Sequence, residues 1–266
     1  MAPMGAASLD TELLSLVDLA WRQHTAAGGQ PWLVAPSAPI LFFGDLHAYR
    51  ESPLRVITVA LNPSDREFPE PDPFSRFKAC TGPEAPAASD YISALNGYFR
   101  AIPYCDWFDF YEQALNGLGA SYYGNAKATA LHTDIASCLA TSPTWSDLPD
   151  EVQERLAPEG ISLWHRLVTY LDPQVVLWST ARGWLARIEC EPLSGWMQLH
   201  SFTTKKDGLP RARPLNIGAR WYRVGLTPTL IGFAPAAQKP LGSLSDDQKQ
   251  EVGRRLMECW NAGVPR

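Results

Sequence analysis

Hydrophobic and polar positions along the chain alternate between two periods. Leu13, Leu14, Val17 and Trp21 recur at helical spacing within residues 8–24, which predicts an amphipathic first helix. Residues 55–61 are a short, β-branched apolar run that reads as a buried parallel strand and breaks at Asn62, Pro63 and Ser64. Residues 89–99 are again helical in pattern, and residues 129–136 are a second strand. A helix over 161–171 stops before Pro173, and 174–179 is a third buried strand. Residues 196–202 alternate as an edge strand, and 229–233 form the last core strand. Ser245 and Gln248 have the spacing of a capping box, with Asp246 and Asp247 in the first turn of a final helix.

Strands that alternate with helices predict an α/β fold, a three-layer α/β/α arrangement around a central, mainly parallel four-stranded sheet. The chain reads as one domain over 1–266, with residues 1–50 a helical extension packed on it. Residues 69–88, rich in Pro, Gly and Ala, read as a long functional loop. Sites in such sheets form beyond the carboxyl ends of the strands. Three polar, Pro-containing loops, at 62–64, 134–143 and 234–245, are therefore expected to converge on one crevice.

The net charge of −5 argues against a protein that coats nucleic acid with its whole surface, but it leaves room for a local basic face. Such a face is available. Lys205, Lys206, Arg211, Arg213, Arg220 and Arg223 crowd the stretch before the last strand, as a phosphate track or as a solvated loop. Five cysteines, with no pair at C-x-x-C spacing, argue against a disulfide framework or a zinc site and fit a reducing cytoplasm. No signal-peptide pattern and no apolar run approaching ~18 residues is present. The expectation is a soluble cytoplasmic protein without a membrane partner, cofactor, metal or obligate protein partner. There is no G-x-S-x-G elbow and no Cys/His pair at recognisable spacing, which argues against an α/β hydrolase acting on a small molecule.

The run Val-Ala-Leu-Asn-Pro-Ser at 59–64 resembles the first motif of the uracil-DNA glycosylase superfamily, in its mismatch-specific and hypoxanthine-type branches. Phe74 follows Asn62 at about the distance of that family's base-stacking aromatic, and Ser75, Arg76 and Phe77 resemble the Asn-Arg-Phe that follows there. The stretch from Thr133 to Cys138 is similar to a Thr-Asn-Ala-Val-Lys-Cys segment whose Asn reads the base edge, so the resemblance puts Asp134 in that position. The loop from Ala234 to Ser243 occupies the place of a His-Pro-Ser loop that enters the minor groove.

The resemblance implies a monofunctional DNA glycosylase acting on DNA. Asn62 would position the hydrolytic water, while Pro63 and Ser64 shape the loop around the nucleotide. Phe74 would stack on the extruded base. Lys239, Ser243, Arg211 and Arg213 would contact DNA, and Leu241 would wedge into the vacated stack. Each position also has a plainer reading. Asn62 is a turn former, Phe74 and Phe77 are core aromatics, Asp134 is a helix cap, and His132 is a satisfied polar residue near the sheet. Ala234 departs from the family's His or Asn, and an Ala cannot stabilise an anionic leaving base. The iron–sulfur cysteines of some branches are absent too, so no cluster is expected.

A carboxylate only accepts, so Asp134 suits an exocyclic amino donor such as cytosine N4 and disfavours uracil O4. A cytosine reader needs a further mark to spare ordinary DNA, and the 69–88 loop would shape room for a substituent. Hypermodified cytosine, glucosylated hydroxymethylcytosine in phage DNA for example, is then the expected substrate and defence the role. The alternatives are a uracil or hypoxanthine repair glycosylase and a non-catalytic nucleic-acid-binding protein on the same fold.

Overall fold

The structure, a computed structural model, describes residues 10–80, 85–236 and 239–265. The first two positions of the expected helix 8–24, residues 81–84 of the 69–88 loop, and residues 237 and 238 of the final loop lie outside them. Eight strands form one sheet: β1 (Val56–Ala60), β2 (Ala120–Ser121), β3 (Ala128–Asp134), β4 (Val175–Trp178), β5 (Glu191–Pro192), β6 (Met197–Thr204), β7 (Pro210–Arg223) and β8 (Pro228–Phe233). Six α-helices accompany them: α1 (Thr11–Ala26), α2 (Leu46–Glu51), α3 (Ala88–Gly97), α4 (Cys105–Gly117), α5 (Asp150–Leu171) and α6 (Asp246–Ala262).

The protein is α/β with a mixed, mostly parallel sheet in the order β2-β3-β1-β4-β8-β7-β5, and β6 pairs with β7. The four apolar runs are its parallel centre, β3-β1-β4-β8. They are buried on both faces, as continuous apolar strands require. The sheet is wider than four strands because of β2 and the antiparallel β5, β6 and β7, with β5 and β6 both pairing to β7. The basic stretch is accordingly not a loop. It turns at 205–209 and continues as the 14-residue β7, whose Ile217, Ala219 and Trp221 are buried.

Packing follows the pleat. His132, Thr58, Leu177 and Gly232 stand in register. On that face Phe108 of α4 meets His132, their ring centroids 5.3 Å apart, and Leu256 of α6 fills the space a side chain at Gly232 would need. The alternate residues Thr133 and Trp178 meet Trp164 of α5, whose Nε1 donates to Thr133 Oγ1 at 3.1 Å, and α1 packs on α5. Helices α4 and α6 cross at glycines: a Cβ on Gly253 would lie 2.0 Å from the Ala114 carbonyl oxygen. The first 50 residues contribute to the interior directly, since Phe43 bonds both backbone groups of His132 and Tyr49 OH donates to the Leu171 carbonyl. No helix of the described residues is long and apolar enough to cross a membrane.

Candidate functional site

The break in hydrophobic pattern after β1 is where the site begins. A parallel strand cannot extend through Pro63, which has no N–H to give. The chain leaves the sheet there, and the loop is tied down by Thr141 N donating to the Pro63 carbonyl. Asn62 is held in the same knot. Its Nδ2 donates to the carbonyls of Pro63 (2.8 Å) and Leu139 (3.2 Å) and to Thr141 Oγ1 (2.9 Å). An amide nitrogen committed to three acceptors fixes the side-chain plane and leaves Oδ1 as the free acceptor. Among the described residues, none donates to it.

β3 ends beside this knot, with Asp134 paired in register to Ala60. The Asp134 carboxylate is buried and takes no hydrogen bond from a described residue. Its Oδ1 is fully covered and unpartnered. His132 Nε2 lies 3.5 Å from that oxygen but is not aligned to donate to it. The imidazole is instead anchored through Nδ1 to Thr58 Oγ1 at 2.6 Å, which also bonds Tyr122 OH. A carboxylate oxygen left without a donor in the interior costs free energy on the order of 1–3 kcal/mol or more, and such groups concentrate where a ligand completes the bonding.

A second buried acid follows Asn62 by five residues. Ser64 caps a single 3-10 turn, Asp65–Glu67, by accepting from Arg66 N at 3.2 Å. The turn carries Glu67 inward, where its Oε2 accepts from Tyr98 OH at 2.5 Å and sits 3.4 Å from Arg76 Nη1. Burial pushes the Glu67 carboxyl up to about 7, with the Tyr98 hydrogen bond and Arg76 opposing and the nearby Asp134 adding to the rise. Sequence reasoning missed Glu67, because an acid in a polar loop has no periodicity to flag it. The available signal was Ser64-x-x-Glu67, the spacing of a helix N-terminus.

These residues line one cavity of about 750 Å³ beyond the carboxyl ends of β1, β3 and β4, in the range of ligand sites. Asn62, Pro63, Ser64, Glu67, His132 and Asp134 are among its lining residues. Tyr104 and Trp107, at the start of α4, supply aromatic surface, and Ser179 to Ala181 follow β4. Residues 142–147 and Trp184 extend the cavity on another side, and Lys239 and Pro240 bring in the final loop. The three loops expected to converge therefore do. A second pocket, lined by Phe110, Lys206, Lys239 and Ser243 among others, shares Ala236 and Lys239 with the first.

Several expected site residues sit elsewhere. Phe74 does not line the cavity; its ring packs edge-on against Phe68, 6.0 Å between centroids, as a core aromatic. Leu241 is buried at 2% exposure, with its N–H donated to Ser179 Oγ, so it does not project as a wedge. The Arg211 guanidinium is occupied by the carbonyls of Thr204 (2.8 Å), at the end of β6, and Ser243 (2.6 Å), the second of which holds the final loop to β7. Arg213 is exposed, as is Lys239, whose ammonium lies 4.9 Å from the centre of the Phe110 ring. Ala234 is fully buried and continues the β8 pairing through its bond to the Trp178 carbonyl. No described residue of the 69–88 loop reaches the cavity, so its extra room comes from 142–147. Among the described residues no group of three or more His, Cys, Asp or Glu could hold a metal ion.

Fold and site together define an α/β protein with an acid- and aromatic-lined cavity at the carboxyl edge of its parallel strands. A scan against protein-family models finds no match for the chain, and a search of curated proteins finds none either.

Proposed function

We propose that the protein is a monofunctional DNA glycosylase with the three-layer arrangement and chemistry of the uracil-DNA glycosylase superfamily. It hydrolyses the N-glycosidic bond of a base flipped into the cavity. The observation that carries this reading is the Asn62 amide. With Nδ2 tied to three acceptors, Oδ1 is a fixed, uncharged acceptor that orients a water toward C1′ without competing for the positive charge that develops on the sugar. Trp107 and Tyr104 supply the stacking surface expected of Phe74. Lys239 is the cation of the final loop that borders the cavity, where it would meet the phosphates beside the flipped base.

Asp134 sets the base. Its unpartnered carboxylate asks for a donor, which an exocyclic amino group supplies and uracil O4 does not. The space beside residues 142–147 and Trp184 accommodates a substituent on that base. The substrate class is then a substituted cytosine, such as a hydroxymethylated or glucosylated one in invading phage DNA, and the biological role is defence.

The test is single-turnover base release from duplexes carrying uracil, hypoxanthine, cytosine, hydroxymethylcytosine or glucosylated hydroxymethylcytosine, followed by alkaline strand cleavage. Substituted cytosine is expected to be released fastest. Asn62→Ala is expected to slow release by about 10² or more while leaving DNA affinity near wild type. Best release of uracil or hypoxanthine, with Asp134→Asn unchanged, would convert the reading to a repair enzyme. Binding without any release would convert it to a non-catalytic nucleic-acid-binding protein.

A further inference from the structure

Glu67 is a buried carboxyl group of which the fold uses only one oxygen. It is 4% exposed, in a turn directly after the Asn62 knot, and lines the same cavity. Only one of its oxygens is used. Oε2 receives Tyr98 OH and faces Arg76 Nη1, whereas Oε1 takes no hydrogen bond from a described residue and is not sealed from solvent. A glutamine would still accept the Tyr98 hydrogen bond through its carbonyl, although it would leave the Arg76 guanidinium without its counter-charge. What a glutamine cannot do is exchange a proton at the oxygen that the fold leaves unused.

We infer that Glu67 is the general base of the reaction, taking a proton through Oε1 from the water that Asn62 Oδ1 orients. This inference rests on the glycosylase reading above. In the step, the water oxygen forms the bond to C1′ as the C1′–N bond breaks, and the electron pair of that bond leaves with the base. One water proton passes to Glu67 Oε1 and from there to solvent, while the departing base takes up a proton. Product sugar carries the new hydroxyl, so the balance is that of a hydrolysis. Tyr98 and Arg76 hold Oε2 and stabilise the ionised form. Asp134, with His132 beside it, lines the same cavity, and its negative charge favours the protonated form. These opposing neighbours, together with burial, keep the group poised near neutrality, where a general base is most effective.

The experiment is the pH profile of single-turnover base release, on the duplex that wild type cuts fastest, for wild type, Glu67→Gln, Glu67→Asp and Asn62→Ala. Wild type is expected to rise with pH through one ionisation near 7 and then level off. Glu67→Gln is expected to lose that limb and to be slower by about 10²–10⁴ on the plateau. The gap should narrow about tenfold for each pH unit below the ionisation, because wild type then also lacks its base. Glu67→Asp is expected to keep an ionising limb at a lower plateau, and it carries the test if the glutamine variant does not fold. An unchanged profile in Glu67→Gln, or a rate lower by the same factor at every pH, overturns the assignment and leaves the glycosylase reading intact. Full activity in Asn62→Ala, or no base released by wild type from any duplex, overturns both.

Discussion

At the scale of single residues, the site consists of side chains whose interior positions are costly unless something uses them. Glu67 makes this measurable without any substrate. Its carboxyl is pushed from an ordinary value of 4.5 up to about 7, by burial first. Between those two pH values the unfolded chain has released the proton and the folded chain still holds it, so stability falls as pH rises through the window and stays reduced above about 7. The full penalty is on the order of 3 kcal/mol. Glu67→Gln removes it. Urea unfolding at pH 5, 6, 7 and 8 is expected to show the variant gaining on wild type across this range and holding a constant lead beyond it. A difference independent of pH would mean that Glu67 ionises as an ordinary surface acid. Asp134 carries a related cost of a different kind, an acceptor without a donor, which on the proposed reading a bound amino group would relieve.

At the scale of elements, the walls of the cavity are only as fixed as the helices behind them. Ser245 and Gln248 form both halves of a capping box at the start of α6, Gln248 N to Ser245 Oγ at 3.3 Å and Ser245 N to Gln248 Oε1 at 3.0 Å. Ser245→Ala is expected to cost about 1 kcal/mol, a fall in Tm of roughly 2–4 °C for a chain of this size, read by thermal unfolding. The cap and the four parallel strands were legible in the sequence because both are local signals: a fixed spacing in one case and unbroken apolar runs in the other. Asn62 stood out as the residue at which the first run stops, whereas Asp134, inside the run expected over 129–136, was singled out only by the family resemblance. β7 was hidden because arginines at 211, 213, 220 and 223 are spread along it and its run is interrupted by Pro214 and Gly218, so the buried alternation of Ile217, Ala219 and Trp221 was masked by charge. Helix α5 begins at Asp150, eleven residues before its expected start at 161, and carries Pro158 inside it. The roles of Phe74 and Leu241 were beyond reach, since which aromatic faces the cavity and which leucine is buried depend on contacts between distant segments.

At the scale of the whole molecule, the glycosylase reading requires a chain of net charge −5 to attract DNA through a small area while the rest repels it. The structure narrows that area. Of the six cations in the basic stretch, Arg211 is spent on two carbonyls, Arg220 donates to the Ser194 carbonyl, and Arg223 pairs with Glu191 at 2.8 Å. Lys206 and Arg213 are exposed, and Lys206 lines the small pocket that adjoins the main cavity through Lys239. A flipped nucleotide in the cavity would leave its flanking phosphates near this edge. Each phosphate neutralised by a lysine or arginine releases condensed counterions and steepens the fall of affinity with salt by about 0.9 on a log–log scale. The charge reversals Lys206→Glu, Arg213→Glu and Lys239→Glu, combined, are therefore expected to weaken binding and flatten the salt dependence by roughly two to three in slope. Arg211→Glu alone should act differently. It releases the final loop from β7, so it is expected to lower thermal stability more than it changes the slope. Fluorescence anisotropy of a labelled duplex between 50 and 200 mM salt (about the range over which such slopes are read) separates the two. A triple variant with the wild-type slope would move the DNA-binding face away from this edge of the molecule.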